Sequence, residues 1–122
     1  MRMEAGPSGA GPMVQGFGAG GFRVDGTVMR AALLTTAAAS DWTPPPLTAL
    51  TLDDLRPLIA GRPEFILLGT GASLVRPPAA LVRALEAEDV GLEAMDSRAA
   101  ARAWGVLRGE GREVAAALYP LD

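Results

Sequence analysis

The sequence predicts one α/β domain, in which helices cover the faces of a mixed, mainly parallel β-sheet. Residues 51–120 alternate between helical patterns and short apolar strand patterns, which is typical of strand–helix–strand units. The segment before them carries a turn signal between two apolar runs, which indicates a β-hairpin. With 122 residues, 49% of them hydrophobic, the chain is long enough for one core.

The N-terminal part should consist of a tail and the hairpin. Residues 1–13 are Gly/Pro-rich with few side chains to bury, so we expect a flexible tail outside a domain of residues 14–122. In the hairpin, Asp25-Gly26 is the turn signal, because glycine tolerates a positive φ. The flanking apolar residues run from Phe22 to Leu34.

A connector, a short helix and a strand should follow the hairpin. Pro44–Pro46 cannot donate hydrogen bonds to a strand and predict an extended connector. Trp42 before it is expected to be a half-buried lid on the core rather than an interface anchor. A helix near 52–60 should be short or kinked because of Pro57. Residues 64–68 are then nearly all apolar, as in a strand buried on both faces.

Two further helix–strand pairs complete the predicted domain. Apolar residues at positions i, i+3, i+4 and i+7 predict a helix over 78–88, and a strand follows at 91–95. Asp96-Ser97 should cap a helix over 98–108. Residues 112–120 form the last predicted strand, whose alanines allow a helix to pack closely on the sheet.

Absent residue types exclude several kinds of chemistry. The chain has no cysteine, histidine or lysine, which excludes thiolate nucleophiles, Schiff bases and the phosphate-loop lysine. A net charge of −3 argues against nonspecific nucleic-acid binding. No apolar run approaches the ~20 residues of a membrane helix, and the start lacks the apolar region of a secretory signal. We expect a soluble cytoplasmic protein with no metal, no cofactor, no nucleic-acid partner and no membrane span.

The stretch FILLGTGASLVRPP, residues 65–78, raises the question of a ligand-binding glycine loop. Gly69 and Gly71 match two of the three glycines of the dinucleotide motif, but position 74 is leucine. A plain turn that leaves a strand is therefore the favoured interpretation, and a small-molecule or anion pocket is the alternative. If the strands at 64–68 and 91–95 are parallel, the loops after them share one sheet edge, where ligands bind in open α/β sheets. That pocket would use Gly69, Thr70, Gly71, Ser73, Arg76, Asp96, Ser97 and Arg98.

No arrangement of residues in the sequence indicates a catalytic centre. Asp53-Asp54 and Glu88-Asp89 are adjacent pairs, whose side chains point apart on a helix. Without histidine or cysteine, a serine or threonine nucleophile would need a carboxylate to activate it, and no spacing predicts such a pair. An enzyme that uses hydroxyl and carboxylate groups is therefore the least favoured hypothesis.

The C-terminal third carries a family resemblance. The stretch MDSRAAARAWGVLRGEGREVAAALYP, residues 95–120, resembles the signature of the domain-of-unknown-function 498 family. LLGTG at 67–71 and GFGAGGFRV at 16–24 resemble two further family motifs, so the resemblance covers about residues 14–120. Trp104-Gly105 stand where members usually have Tyr-Asn. The signature positions are Trp42, Met95, Ala100, Arg102, Trp104, Glu110, Gly111 and Arg112.

The resemblance also implies a fold and a function. The family includes the mitochondrial complex I assembly factor three and small bacterial and archaeal proteins. It implies three layers around a five-stranded mixed sheet whose last strand is antiparallel, and it has no established catalytic residues. By analogy, an accessory protein that acts through contacts with a protein partner is the favoured function, and a small-ligand or anion-binding domain at the Gly69–Gly71 loop is the alternative. Glu110 and Arg112 should hydrogen-bond nearby and fix the loop before the last strand.

Overall fold

The N-terminal part of the described chain forms a small antiparallel sheet. The computed structural model describes residues 11–18 and 20–122. Strands β1 (Val14–Gly18), β2 (Gly21–Val24) and β3 (Thr27–Met29) pair in that order. Asp25 and Gly26, between β2 and β3, both have positive φ (48° and 87°), as the favoured two-residue hairpin turn requires. The predicted hairpin is confirmed up to Met29, but residues 32–34, expected to continue it, pair in the large sheet instead. β1 was not predicted.

The large sheet has five strands in the order β5-β4-β8-β6-β7. Pairs β6–β7 and β6–β8 are parallel, and pairs β4–β5 and β4–β8 are antiparallel. The fold class is therefore confirmed as mixed α/β. The strand bounds are β4 (Ala32–Leu34), β5 (Ala39–Asp41), β6 (Phe65–Gly69), β7 (Gly91–Met95) and β8 (Ala115–Leu118).

The direction of the last strand is a correction. β8 was expected to be the antiparallel strand, but it runs parallel to β6 and is antiparallel only to β4. The reason is that β6, β7 and β8 are joined by helical crossovers, which return the chain to the same end of the sheet. Among the described strands of the large sheet, the one that runs in the opposite direction is β4, which pairs antiparallel with both β5 and β8.

The helices lie close to their predicted positions. Helix α1 (Arg56–Ile59) follows a 3₁₀ turn at Asp53–Leu55 and has Pro57 in its first turn, so the helix in the 52–60 segment is short, as expected. Helix α2 (Ala79–Ala87) buries Leu81 and Leu85 of the predicted stripe, and helix α3 (Ser97–Gly109) buries Trp104. A further 3₁₀ turn spans Leu47–Ala49. Within residues 11–18 and 20–122, no helix has the length and apolar character needed to cross a bilayer.

Side chains from the two faces of the large sheet fill two separate cores. Alternation along β6 sends Leu67 into a core with α3 and the small sheet, and Ile66 and Leu68 into a core with α1 and α2. Trp104 is fully buried in the first core, and Leu85 in the second. The described chain therefore has three layers, with the large sheet in the middle.

The last two residues of the predicted tail contact the domain. Residues 1–10 of the predicted tail lie outside the described residues. At its end, however, Pro12 is buried and its carbonyl oxygen accepts a hydrogen bond from Trp104 Nε1 at 2.9 Å. Met13 N donates to Asp25 Oδ1 at 3.1 Å, and Met13 O accepts from Asp25 N at 3.2 Å. Pro12 and Met13 of the predicted tail therefore bond to Trp104 and Asp25, partners that composition does not show.

A truncated chain that begins at Val14 should therefore be less stable than one that begins at Gly11. We expect a loss of about 1–3 kcal/mol, because the buried Nε1–H of Trp104 would have no partner. Urea unfolding of both chains measures the difference. As a control, the chain that begins at Gly11 should differ little from the full chain, since the composition of residues 1–10 offers few apolar side chains. Equal unfolding midpoints for the two truncated chains would contradict this prediction.

Candidate functional site

The loops that follow β6 and β7 lie side by side at one edge of the large sheet. The two strands are parallel and Gly69 pairs with Met95, so both end at this edge. Thr70 N donates to Met95 O at 2.8 Å, and Ser97 N donates to Gly71 O at 2.8 Å. The structure thus brings the two predicted loops into direct contact.

Ser97 is the centre of this contact and is completely buried. Its Oγ donates to Tyr119 O at 2.7 Å and accepts from Gly71 N at 2.9 Å. Tyr119 N in turn donates to Gly69 O at 2.9 Å. We call this network of Gly69, Gly71, Ser97 and Tyr119 the serine clasp. It joins the ends of β6 and β8 to the start of α3.

The two glycines of the loop are explained by the serine clasp. A Cβ atom at Gly69 would lie 2.7 Å from Ser97 Oγ and 2.9 Å from Ser97 Cα, closer than side chains normally approach. Gly71 has φ +107°, a conformation that other residues rarely adopt. The structure of the loop therefore requires glycine at both positions, which supports the interpretation of this stretch as a turn.

Thr70 holds the rest of the loop in place. It is buried, and its Oγ1 donates to Ser73 O at 2.7 Å and accepts from Val75 N at 3.0 Å. The next side chains, Leu74 and Val75, are exposed by 64% and 44%. The loop is thus a fixed turn that presents two apolar side chains at the surface.

Three backbone N–H groups at the start of α3 bond within the protein. Ser97 N donates to Gly71 O of the serine clasp. Ala99 N donates to Asp96 Oδ1, and Ala100 N donates to Asp96 O, both at 2.9 Å. Asp96 is therefore the predicted cap. These bonds occupy donors that an anion at this helix end would use.

The arginines proposed for an anion pocket lie elsewhere or at the surface. The Arg98 guanidinium is 5.7 Å from the ring centre of Phe17, in the small sheet, and Arg76 and the Ser73 side chain are exposed. Across the described ranges 11–18 and 20–122, no group of three or more Asp and Glu residues is arranged to hold a metal ion. The anion pocket stays a prediction, and no contact described here favours it.

An apolar groove of about 450 Å³ lies on the α3 side of the sheet, next to β7. Phe65 and Leu67 of β6 and Glu93 and Met95 of β7 form its floor. Helix α3 supplies the wall through Ala103, Val106 and Leu107. We call this feature the β7 groove.

The β7 groove exists because α3 covers β6 and β8 more fully than it covers β7. Since β7 is the edge strand, its α3-facing side is left partly open. Val106, at the rim, is 62% exposed although it is apolar. Val106 was not among the predicted functional residues. The available signal was an apolar residue outside the buried stripe of α3.

Comparison with known proteins gives a consistent assignment. Residues 14–119 match the family described as "Protein of unknown function (DUF498/DUF598)". The chain belongs to the DUF498/DUF598 family. An uncharacterized protein of Rhodobacter capsulatus is 42% identical over 121 residues, which cover 97% of this chain and 91% of that protein. The predicted family is therefore confirmed.

Solved structures of similar proteins share the fold. A Bordetella parapertussis crystal structure is 34% identical with a TM-score of 0.80, and the alignment covers 93% of this chain and 99% of that one. A Bordetella pertussis solution structure, described as a Mth938-like domain, is 28% identical with a TM-score of 0.77. That alignment covers 99% of this chain and 93% of the other. This DUF498 domain therefore has the Mth938-like fold.

The DUF498 signature positions on β7 and α3 are mainly structural. Ala100 and Trp104 are fully buried in the first core, and Met95 packs against it. Arg102 is exposed, with its guanidinium 5.8 Å from the ring centre of Phe17. Position 104 differs from the usual family residue, yet its side chain serves packing and the bond to Pro12. The replacement therefore falls at a core position.

The DUF498 signature around the loop before β8 forms a network of charged side chains. Arg112 Nη2 donates to Glu64 Oε1 at 2.8 Å, which lowers the pKa of Glu64 and raises the pKa of Arg112. This confirms for Arg112 the prediction of a bond that fixes the loop. The Glu110 side chain is exposed, and its backbone N–H donates to the last turn of α3. Gly111 N donates to Arg108 O. Arg108, which was not predicted, is buried and donates through Nη1 to Arg112 O.

Trp42, the remaining DUF498 position, covers the second core. It is half-buried as predicted, and its ring centre lies 5.1 Å from that of Tyr119 in an edge-to-face arrangement. The Tyr119 hydroxyl donates to Pro45 O at 2.8 Å, which anchors the proline connector. Burial, with a smaller contribution from the negative charge of Asp54, raises the pKa of Tyr119 to about 12.

Proposed function

We propose that this DUF498 protein is a non-enzymatic cytoplasmic accessory protein that binds a partner protein through the β7 groove. The observation that carries the proposal is an open apolar groove at the edge of a sheet, with Val106 62% exposed at its rim. Burial of apolar surface is the main favourable contribution to protein association. Exposed apolar patches of this kind are typical of interaction sites.

The bonding of the buried hydroxyl groups also supports a non-enzymatic role. The hydroxyls of Ser97 and Thr70 both donate to backbone carbonyl oxygens, those of Tyr119 and Ser73. A serine or threonine nucleophile is activated by an adjacent base, such as a carboxylate or an imidazole. These two hydroxyls therefore serve the loop structure instead.

The process in which the partner takes part is proposed by family analogy. The sequence resembles a family that includes a mitochondrial complex I assembly factor, so we propose assembly of a respiratory or other membrane complex. This step rests on analogy and not on the geometry of the groove. Recovery of a respiratory-complex subunit or a membrane-insertion component as the partner would support it.

A Val106→Arg variant should lose partner binding by about tenfold or more, which corresponds to about 1.4 kcal/mol. The reason is that a charged side chain at the rim would have to be desolvated when the partner covers the groove. Affinity purification from the native host, followed by quantitative mass spectrometry, measures the loss of stoichiometric partners. The melting temperature should not change, since Val106 is largely exposed.

The matched control is Val28→Arg, which changes an exposed valine of β3 that does not line the groove. This variant should retain the partners of the unchanged protein. Equal recovery of the same partners with Val106→Arg would overturn the proposed role of the β7 groove.

A further inference from the structure

The outer edge of β7 has backbone groups that no described residue bonds. In a parallel pair, alternate residues of a strand bond to one neighbour, and the residues between them face the other side. Gly91 N donates to Glu64 O, and Met95 O accepts from Thr70 N, so Gly91, Glu93 and Met95 face β6. The N–H and C=O groups of Leu92 and Ala94 therefore point to the outer edge, where the described part of the chain has no further strand.

This edge and the β7 groove form one continuous surface. The side chains of Glu93 and Met95 line the groove, while Leu92 packs into the second core on the opposite face. A strand added beside β7 would lie about 4.8 Å away. Every second side chain of that strand would then point to the same face as the groove and could pack near Val106 of α3. The surface therefore offers both hydrogen bonds and an apolar contact to an extended segment.

The charge of Glu93 determines which segment fits. Glu93 is exposed and lies in the middle of β7, on the groove side. If two copies of this chain paired antiparallel about Glu93, the two carboxylates would lie directly opposite each other, which is destabilising. An arginine or lysine opposite Glu93 would instead form a favourable cross-strand pair. The charge thus favours a different chain over a second copy.

We propose that β7 accepts an extended segment of a partner protein as a sixth strand of the large sheet. The side chains of this segment point alternately to the two faces of the sheet. On the groove side, an arginine or lysine lies opposite Glu93, and the next positions before and after it are apolar. Backbone hydrogen bonds supply affinity in such strand addition, and the alternate side chains supply specificity. The inference rests on the proposed function, since it names the kind of segment that the groove binds.

The test uses peptides selected on the full chain from a random twelve-residue display library. The selected peptides should have apolar residues at every second position and a basic residue at one fixed position. In the complex, hydrogen exchange measured by NMR should slow by about tenfold or more at the amides of Leu92 and Ala94. The amide of Glu93, which already bonds to β6, should not change. No selected peptides, or exchange at Leu92 and Ala94 that binding does not slow, would overturn the inference.

Charge-reversal variants test the role of Glu93. Glu93→Lys should change the selected residue from basic to acidic, whereas Glu88→Lys, an exposed acid at the end of α2, should leave the selection unchanged. An unchanged basic preference with Glu93→Lys would contradict the proposed pairing. Protection of both amides in a self-associated sample without peptide, seen by sedimentation, would identify a second copy as the occupant and also overturn the inference.

The proposed function and this inference fail in different ways. If the host partner is lost with Val106→Arg but does not protect the Leu92 and Ala94 amides, the groove binds it by another mode. Strand addition is then wrong, and the accessory function stands. If Val106→Arg retains the partner, the function assigned to the groove is itself wrong.

Discussion

A Trp104→Ala variant should lose about 3–5 kcal/mol of stability towards unfolding, the usual cost of removing a large buried aromatic side chain. Trp104 is fully buried in the core between α3, the large sheet and the small sheet. Its removal leaves a cavity there and also leaves the Pro12 carbonyl oxygen without its 2.9 Å donor. Urea unfolding followed by circular dichroism measures the loss.

Two variants separate the contributions of Trp104. Trp104→Tyr introduces the tyrosine that the family resemblance implies at this position. Because it keeps an aromatic ring, it should lose less stability than Trp104→Ala. Val106→Ala, two positions along the helix, changes a largely exposed side chain and should shift stability by less than about 0.5 kcal/mol. A Trp104→Ala loss as small as that of Val106→Ala would show that the buried ring is not important for stability.

A Gly69→Ala variant should lose about 3 kcal/mol, the upper end of the usual cost of adding a methyl group to a filled site. The new Cβ would meet Ser97 Cα at 2.9 Å and Leu118 Cδ2 at 3.0 Å. Because the first of these atoms belongs to the backbone, β6 and α3 would have to move apart. The serine clasp would lengthen as a result. Equilibrium unfolding in urea measures this cost.

Gly109→Ala is the matched control for Gly69→Ala. An added Cβ at Gly109 would have no heavy atom within 4 Å outside its own helix, and alanine favours a helix more than glycine does. This variant should be as stable as the unchanged chain or more stable. If the two alanine variants unfold at the same urea concentration, the close approach at Gly69 carries no energetic cost and the explanation of that glycine is wrong.

The sequence predicted the elements with strong periodicity and missed those without it. The strand at 91–95 and the helices that became α2 and α3 agree within one or two residues, because their apolar spacing is regular. β1, with the sequence VQGFG, and β5, with ASD, contain too few apolar residues for an alternation to be visible. Both strands exist because neighbouring strands offer hydrogen bonds.

The candidate site depended on tertiary contacts that no local pattern contains. Asp96 and Ser97 were together expected to cap α3. Asp96 does so, whereas the Ser97 side chain bonds to Tyr119, which lies 22 residues further along the chain. The β7 groove could not be predicted without the strand order, which places β7 at the edge. The family resemblance predicted the number of strands correctly but the direction of the last strand incorrectly. The helical crossovers between β6, β7 and β8 would have predicted that direction correctly.

The position of β8 has a consequence for synthesis of the chain on the ribosome. β8 is the last strand in the sequence, yet it lies at the centre of the large sheet, between β4 and β6. Until it emerges, β4 and β6 have no common neighbour, and each presents an unpaired edge with apolar side chains. Such edges are sites of aggregation. The nascent protein therefore depends on the β8 segment to join two separate sheet fragments into one, and both edges remain open to self-association until that segment has emerged.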